Sequence, residues 1–292
     1  MKNFTLSLVL FIYSIASFAG NVCDSAKVNA PTVAMSGIYT VNPAAGVSTT
    51  NFIRIGQADT AMMNNGIDGP IIIQIYNGTY TQANLVLNTV PGVSSTNTIK
   101  FTSFSNDSLQ VNIISSFQVI NVPFVTLEKL RFNGSNLYTA ASAIQIGGTS
   151  NNITIKNCNI SGRVTWNAGN NFTLLNNYIA GGVQVTGLGG AYISNIVLQN
   201  NIIAGGSSDG NASPFILQYF NVTKPVLEAN IFQDFNFNHV FGAYAYKSTF
   251  YFVGCADTLF IKSNRFIRVS TSRLIGDFNT TPTPTSDRKS VV

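Results

Sequence analysis

Charge is what this chain has least of. Only 9% of its residues are Asp, Glu, Lys or Arg, and no basic run exceeds a dipeptide. Nucleic-acid binding needs a clustered basic footprint, so it is not expected. The formal charge of +5 owes much to the two ends; without Lys2, Asp287, Arg288 and Lys289 the body holds 13 basic and 10 acidic residues. Histidine is down to His239, and the cysteines are Cys23, Cys158 and Cys255. No two of these have metal-ligand spacing, so a zinc site is excluded and no cofactor is expected. An odd cysteine count does not give a closed disulfide framework. No apolar run is long enough to cross a membrane, so no membrane insertion is expected.

What the chain has in quantity is a tandem pattern. Ile153-Thr154-Ile155-Lys156-Asn157-Cys158-Asn159-Ile160 shows it: apolar, any, apolar, any, any, a Leu/Cys/Asn position, any, apolar. Further copies begin at Val125, Phe172, Ile196, Pro225 and Leu259. The period-two alternation specifies short strands rather than a helix. Repeats of this length specify a solenoid, since one unit cannot bury its own apolar face. Second apolar segments follow most copies, at Ala143-Ile144-Gln145-Ile146, Val183-Gln184-Val185, Phe215-Ile216-Leu217 and Phe250-Tyr251-Phe252. The expected fold is therefore all-β, a right-handed parallel β-helix with at least two strands per coil.

Reading down the aligned copies tests this register. The sixth column is Leu130, Cys158, Asn177, Asn201, Asn230, Asn264. Stacked Asn side chains can bond one another and the backbone along the axis, forming a structural ladder, and Cys158 becomes a buried apolar member of it. A second column is Gly134, Gly162, Gly181, Gly205, Asp234, Arg268, and its glycines suit a turn of positive φ. Glu128 meets Lys156, Glu228 meets Lys262 and Asp234 meets Arg268, each one coil apart. These charges are thereby given a structural role.

Along the chain, residues 1–19 resemble a signal peptide: Lys2 supplies a basic start, 6–15 an apolar core, and Ser17-Phe18-Ala19 a small-residue site with cleavage after Ala19. The product is expected to be secreted or at the cell surface. Residues 20–50 form a lead-in with strand character at Gly37-Ile38-Tyr39-Thr40-Val41. The β-helix is expected over 51–278. It opens with a short amphipathic helix carrying Phe52, Ile55, Ala58 and Met62, capped by Thr50 or Asn51 and broken at Asn64-Asn65-Gly66. That helix would cover the open N-terminal coil, whose unpaired edges invite association. Ile71-Ile72-Ile73-Gln74-Ile75 is the expected first core strand. Residues 279–292 read as a truncated tail, and 287–292 match what the start of a common sequencing adapter would encode, so they are expected to be read-through.

The run Tyr39-Thr40-Val41, Asn51-Phe52, Gly66-Ile67-Asp68-Gly69-Pro70, Asn77-Gly78-Thr79-Tyr80 and Asn97-Thr98-Ile99 resembles the opening of large secreted, pectin-lyase-like β-helix repeat proteins of Bacteroidetes. Those are often cargo of type IX secretion, but no counterpart of their C-terminal sorting domain is seen here. The resemblance covers roughly 35–270 and implies architecture, not activity.

Two candidate sites remain. Asp257-Thr258-Leu259-Phe260 resembles a catalytic segment of pectin methylesterases, and Asp277-Phe278 stands where their second aspartate would. The resemblance would make Asp257 and Asp277 the acid/base and nucleophile. However, Ala256 replaces the family's glutamine, Asn279 follows Phe278, and the arginine motif has no counterpart. A coil turn and a loop are the plainer reading. His239, Tyr244, Tyr246 and Lys247 lie in the insertion between the last two copies, where solenoids place binding loops. With Phe235, Phe237 and Phe241 these aromatics could stack on sugar rings or pack the insertion. Fold alone does not license an enzyme. Seven acids remain outside the paired columns, with no Asp-Asp pair among them. The expected function is non-catalytic binding to a polysaccharide or cell-surface glycan, the alternative being a carbohydrate esterase or polysaccharide lyase.

Overall fold

A computed structural model describes residues 33–83, 85–134, 142–187, 192–204, 217–236, 248–253, 258–270 and 273–277. These form a right-handed parallel β-helix with three strands per coil and one capping helix, Ile55–Asn65. The first sheet has ten strands, including Val125–Glu128, Ile153–Lys156, Phe172–Leu175, Ile196–Gln199, Val226–Glu228 and Phe260–Lys262 in consecutive positions. All six repeat copies therefore lie over one another. The second and third sheets have eight strands each, and every pairing in all three sheets is parallel.

The alternation decides which residues enter the core. In Ile153–Lys156, Ile153 and Ile155 are fully buried while Thr154 and Lys156 face outward. The same holds for Phe172/Leu174 and Ile196/Leu198. Aromatic residues fill the widest places: Phe117 packs edge-on against Phe101 at 5.3 Å and Phe132 at 5.9 Å, and Trp166 lies over Phe172 at 4.3 Å.

Between the first and second sheets runs the Asn ladder. Asn201 Oδ1 accepts from the Asn177 backbone N–H at 2.9 Å and from Asn177 Nδ2 at 3.0 Å, while its own Nδ2 donates to Leu174 O and to Asn230 Oδ1. Asn177, Asn230 and Asn264 repeat the arrangement. Cys158 occupies the column as expected, 3% exposed, with Sγ 3.6 Å from Leu127 O. Burial raises its thiol pKa to about 12, so it is a packing residue and not a nucleophile.

The residue before each ladder position is left-handed. Lys129, Asn157, Asn176, Asn200, Ala229 and Ser263 all have φ between 53° and 57°. A second left-handed column, Phe124, Asn152, Asn171, Asn195 and Lys224, precedes the first-sheet strands. There Asn195 donates to Asn171 at 2.7 Å and Asn171 to Asn152 at 2.9 Å, an exposed ladder beside the buried one. Asn adopts this backbone region at less cost than Ala. Ala229→Asn is expected to raise stability by about 1 kcal/mol in equilibrium denaturation.

Several boundaries differ from the sequence reading. Met35–Val41 pairs with Ile67–Ile75 in the first sheet, so the solenoid starts within the lead-in rather than at 51, and Ile71–Ile75 is not its first strand. The helix is not capped by Thr50 or Asn51. Its N-cap is Arg54, without a side-chain bond, while Asn51 is spent holding the Asn42 backbone. The break at Gly66 is as expected, with φ 68°. The third-sheet strand near 216 is Leu217–Phe220, two residues later than the 215–217 segment, because Leu217 pairs with Phe250 and Tyr219 with Phe252. Gly162 and Gly181 have positive φ, but Gly134 does not. What that column requires in common is space: an added Cβ would meet the preceding coil at 2.9 Å for Gly162 and 2.7 Å for Gly181, and Ala143 of its own coil at 3.1 Å for Gly134.

Candidate ligand-binding face

Five charges of the first sheet, Lys100, Glu128, Lys156, Glu228 and Lys262, pair with one another from coil to coil. Glu128, 8% exposed, is flanked by Lys100 and by Lys156 at 3.5 Å. Burial would raise its carboxyl, but the hydrogen bond and charge of Lys100, then those of Lys156, outweigh this and hold it below the ordinary value. Glu228 binds Lys262 at 3.5 Å and Gln199 at 3.2 Å. Asp234 and Arg268 form a bidentate pair at 2.5 and 2.9 Å on the second-sheet side. The three coil-to-coil pairs read from the sequence are all present, and Lys100 is an addition to them.

The third sheet is different. Between its inward residues stand Gln118, Gln145, Thr165, Gln184 and Gln218, each in register with the next. Gln118, Gln145 and Gln184 are half-buried, whereas Thr165 is buried and its hydroxyl donates to Ser142 Oγ at 2.9 Å. Between them Phe117, Val119, Ile144, Ile146, Val164, Trp166, Val183 and Val185 fill the core. At the spacing of paired strands the five row positions span about 19 Å. Gln118, Gln145 and Gln184 place amides on this row, groups that both donate and accept. No Asp or Glu occurs in any strand of this sheet from Leu85–Asn88 to Ser248–Val253.

One cation stands at the edge of this row. Arg163 opens the strand Arg163–Trp166 and donates from Nη1 to Gln184 Oε1 one coil on, at 3.3 Å. Burial lowers its pKa, but a guanidinium so placed remains charged. Among the described residues it has no carboxylate partner. Gly162 and Gly181 keep the adjoining turn free of side chains.

Segments 135–141, 205–216 and 237–247 all join a second-sheet strand to a third-sheet strand. Segments 188–191 and 254–257 follow third-sheet strands. In the coils through Ile153 and Phe172 the first of these passages shrinks to one or two glycines. In chain order the longer connections thus fall before or after third-sheet strands.

His239, Tyr244, Tyr246, Lys247 and Asp257 lie outside the described residues. Asp277 ends the strand Arg273–Asp277, in register with Phe252. Through Tyr219 that register continues to Val185 and Trp166, which belong to the core column of the sheet. Arg265 opens a second-sheet strand and Arg273 a third-sheet strand. The structure therefore does not bring Asp277 and Arg265 onto one sheet. No group of three or more His, Cys, Asp or Glu side chains is arranged to hold a metal ion among the described residues.

The sequence reading missed the polar row and Arg163. The signal was there: Gln145 and Gln184 sit between apolar residues of the second segments, where period-two alternation turns them outward. No helix among the described residues is long and apolar enough to cross a membrane. No protein-family model matches this chain, and no curated protein matches it.

Proposed function

We propose that this chain is an exported, non-catalytic β-helix that binds a polysaccharide or cell-surface glycan along the outer face of its third sheet. The observation behind this is the row of half-buried amides Gln118, Gln145 and Gln184, continued in register through positions 165 and 218, on a sheet free of carboxylates before its last strand. An extended polymer with a repeating pattern of hydroxyls suits amides spaced along a straight axis. Arg163 would add a charge-assisted bond to a hydroxyl or an acidic substituent. Hydrolytic or lyase chemistry would instead need convergent acids with a basic group, and this row has none.

The test is binding to an array of immobilised glycans, with Arg163→Ala and Gln184→Ala set against Thr154→Ala on the first sheet. Each third-sheet variant is expected to weaken binding by roughly tenfold, the worth of one hydrogen bond to a charged or buried group. Thr154→Ala is expected to leave it unchanged. Equal losses in all three would place the contact elsewhere. Release of methanol or unsaturated sugar from pectins by the intact chain would favour the esterase or lyase alternative.

A further inference from the structure

The capping helix holds a group that its packing does not explain. Ile55, Ala58, Asp59 and Met62 form the face that the helix lays on the first coil, and all four are buried. Three are apolar, as that face requires. Asp59 is 2% exposed, and neither of its carboxyl oxygens has a hydrogen-bond partner. A carboxylate cannot stay ionised in such a place without a large desolvation cost. The strands packed against the helix offer it no cation. Asn51–Phe52 and Leu85–Asn88 hold no titratable residue, Met35–Val41 holds Tyr39, and Ile67–Ile75 holds Asp68, which is exposed. On the helix itself Asp59 is the one titratable residue, and Arg54 at its start is exposed.

We propose that Asp59 makes the N-terminal cap a proton-held latch: the helix stays seated on the first coil while this carboxyl is protonated and is released as the proton is lost. Burial alone raises the group to about 8 in the seated helix; once the helix lifts into water the value returns to that of an ordinary Asp, about 4. The sign follows from linkage. Between these limits the seated form binds a proton that the lifted form does not, so each unit of rising pH favours lifting tenfold. Below about pH 4 the latch is fully closed; above about 8 the loss is complete. Lifting would uncover the apolar end of the first coil and its strand edges, which associate when left bare. The latch is independent of the glycan-binding reading, since it lies on the end of the solenoid and is measured without ligand.

Hydrogen exchange of the helix amides between pH 5 and 8 tests it, with Asp59→Asn and Asp59→Ala measured at the same pH values to cancel the intrinsic exchange rate. The opening constant of the natural chain is expected to rise tenfold per pH unit relative to either variant, and that of the variants to stay flat. Asp59→Ala guards against a buried amide disturbing the fold by itself. A natural chain whose opening constant runs parallel to both variants across this range would overturn the latch.

Discussion

Asn201→Leu is expected to destabilise the protein by about 4 kcal/mol, since buried unsatisfied groups cost about 1–3 kcal/mol each. Leucine branches at Cγ as asparagine does but is bulkier, so some overpacking adds to the loss of the hydrogen bonds. Asn201 is 0% exposed, and removing its amide strips four bonds at once. The Asn177 backbone N–H loses its acceptor, and Leu174 O loses a donor. Asn177 Nδ2 keeps Ile155 O, and Asn230 Oδ1 keeps the backbone N–H of residue 201, so these two are only half deprived. A double-mutant cycle with Asn177→Leu separates a ladder from independent bonds. Because the two residues share a pair of bonds, the double variant should lose less than the sum of the singles. Strict additivity in chemical denaturation would show that the column is not acting as one network.

The fold was legible because a solenoid writes its register into the sequence. Once Asn177, Asn201, Asn230 and Asn264 are aligned, the stacking of Glu128 on Lys156 and of Glu228 on Lys262 follows from counting. The strand that the alignment missed, Arg163–Trp166, breaks the apolar rule: Thr165 lies between Val164 and Trp166 at only 7% exposure. The candidate face was less legible for a related reason. A glutamine on an outward position looks like any solvated residue until its partners on neighbouring coils are known, and insertions of differing length hide that alignment on the third sheet. The left-handed columns were half visible. Asn157, Asn176 and Asn200 announce them, but Ala229, Lys129 and Phe124 adopt the same backbone against their own preference because the coils above and below impose it. Asp59 was hidden by the opposite effect. Helical spacing assigned the face to Ile55, Ala58 and Met62, and a carboxyl between them reads as a solvated neighbour unless its burial is seen.

Gly169→Ala is expected to cost about 4 kcal/mol, combining the roughly 1–2 kcal/mol of a left-handed backbone with the 1–3 kcal/mol typical of overpacking. Gly169 lies in the turn that carries the chain from the third sheet back to the first, with φ 89°. A Cβ there would stand 1.9 Å from Ser150 O, a backbone atom of the preceding coil, and Ser150 is itself fully buried. Neither partner is a side chain that can rotate away, so the two coils must part. Trp166 reports the movement. It is the chain's one tryptophan, its Nε1 donates to Gly169 O at 3.4 Å, and its ring lies over Phe172 with no exposure to solvent. Its emission in Gly169→Ala should therefore shift to the red before global unfolding. Gly37→Ala is the control, because Gly37 has the same backbone sign at φ 88° but nothing within 4 Å of its added Cβ. It should lose only the backbone share, about 1 kcal/mol, and leave the tryptophan spectrum in place. If the two alanine variants lost equal stability, the cost would lie in backbone conformation alone, and the close approach of coils at Ser150 would not be what demands glycine at position 169.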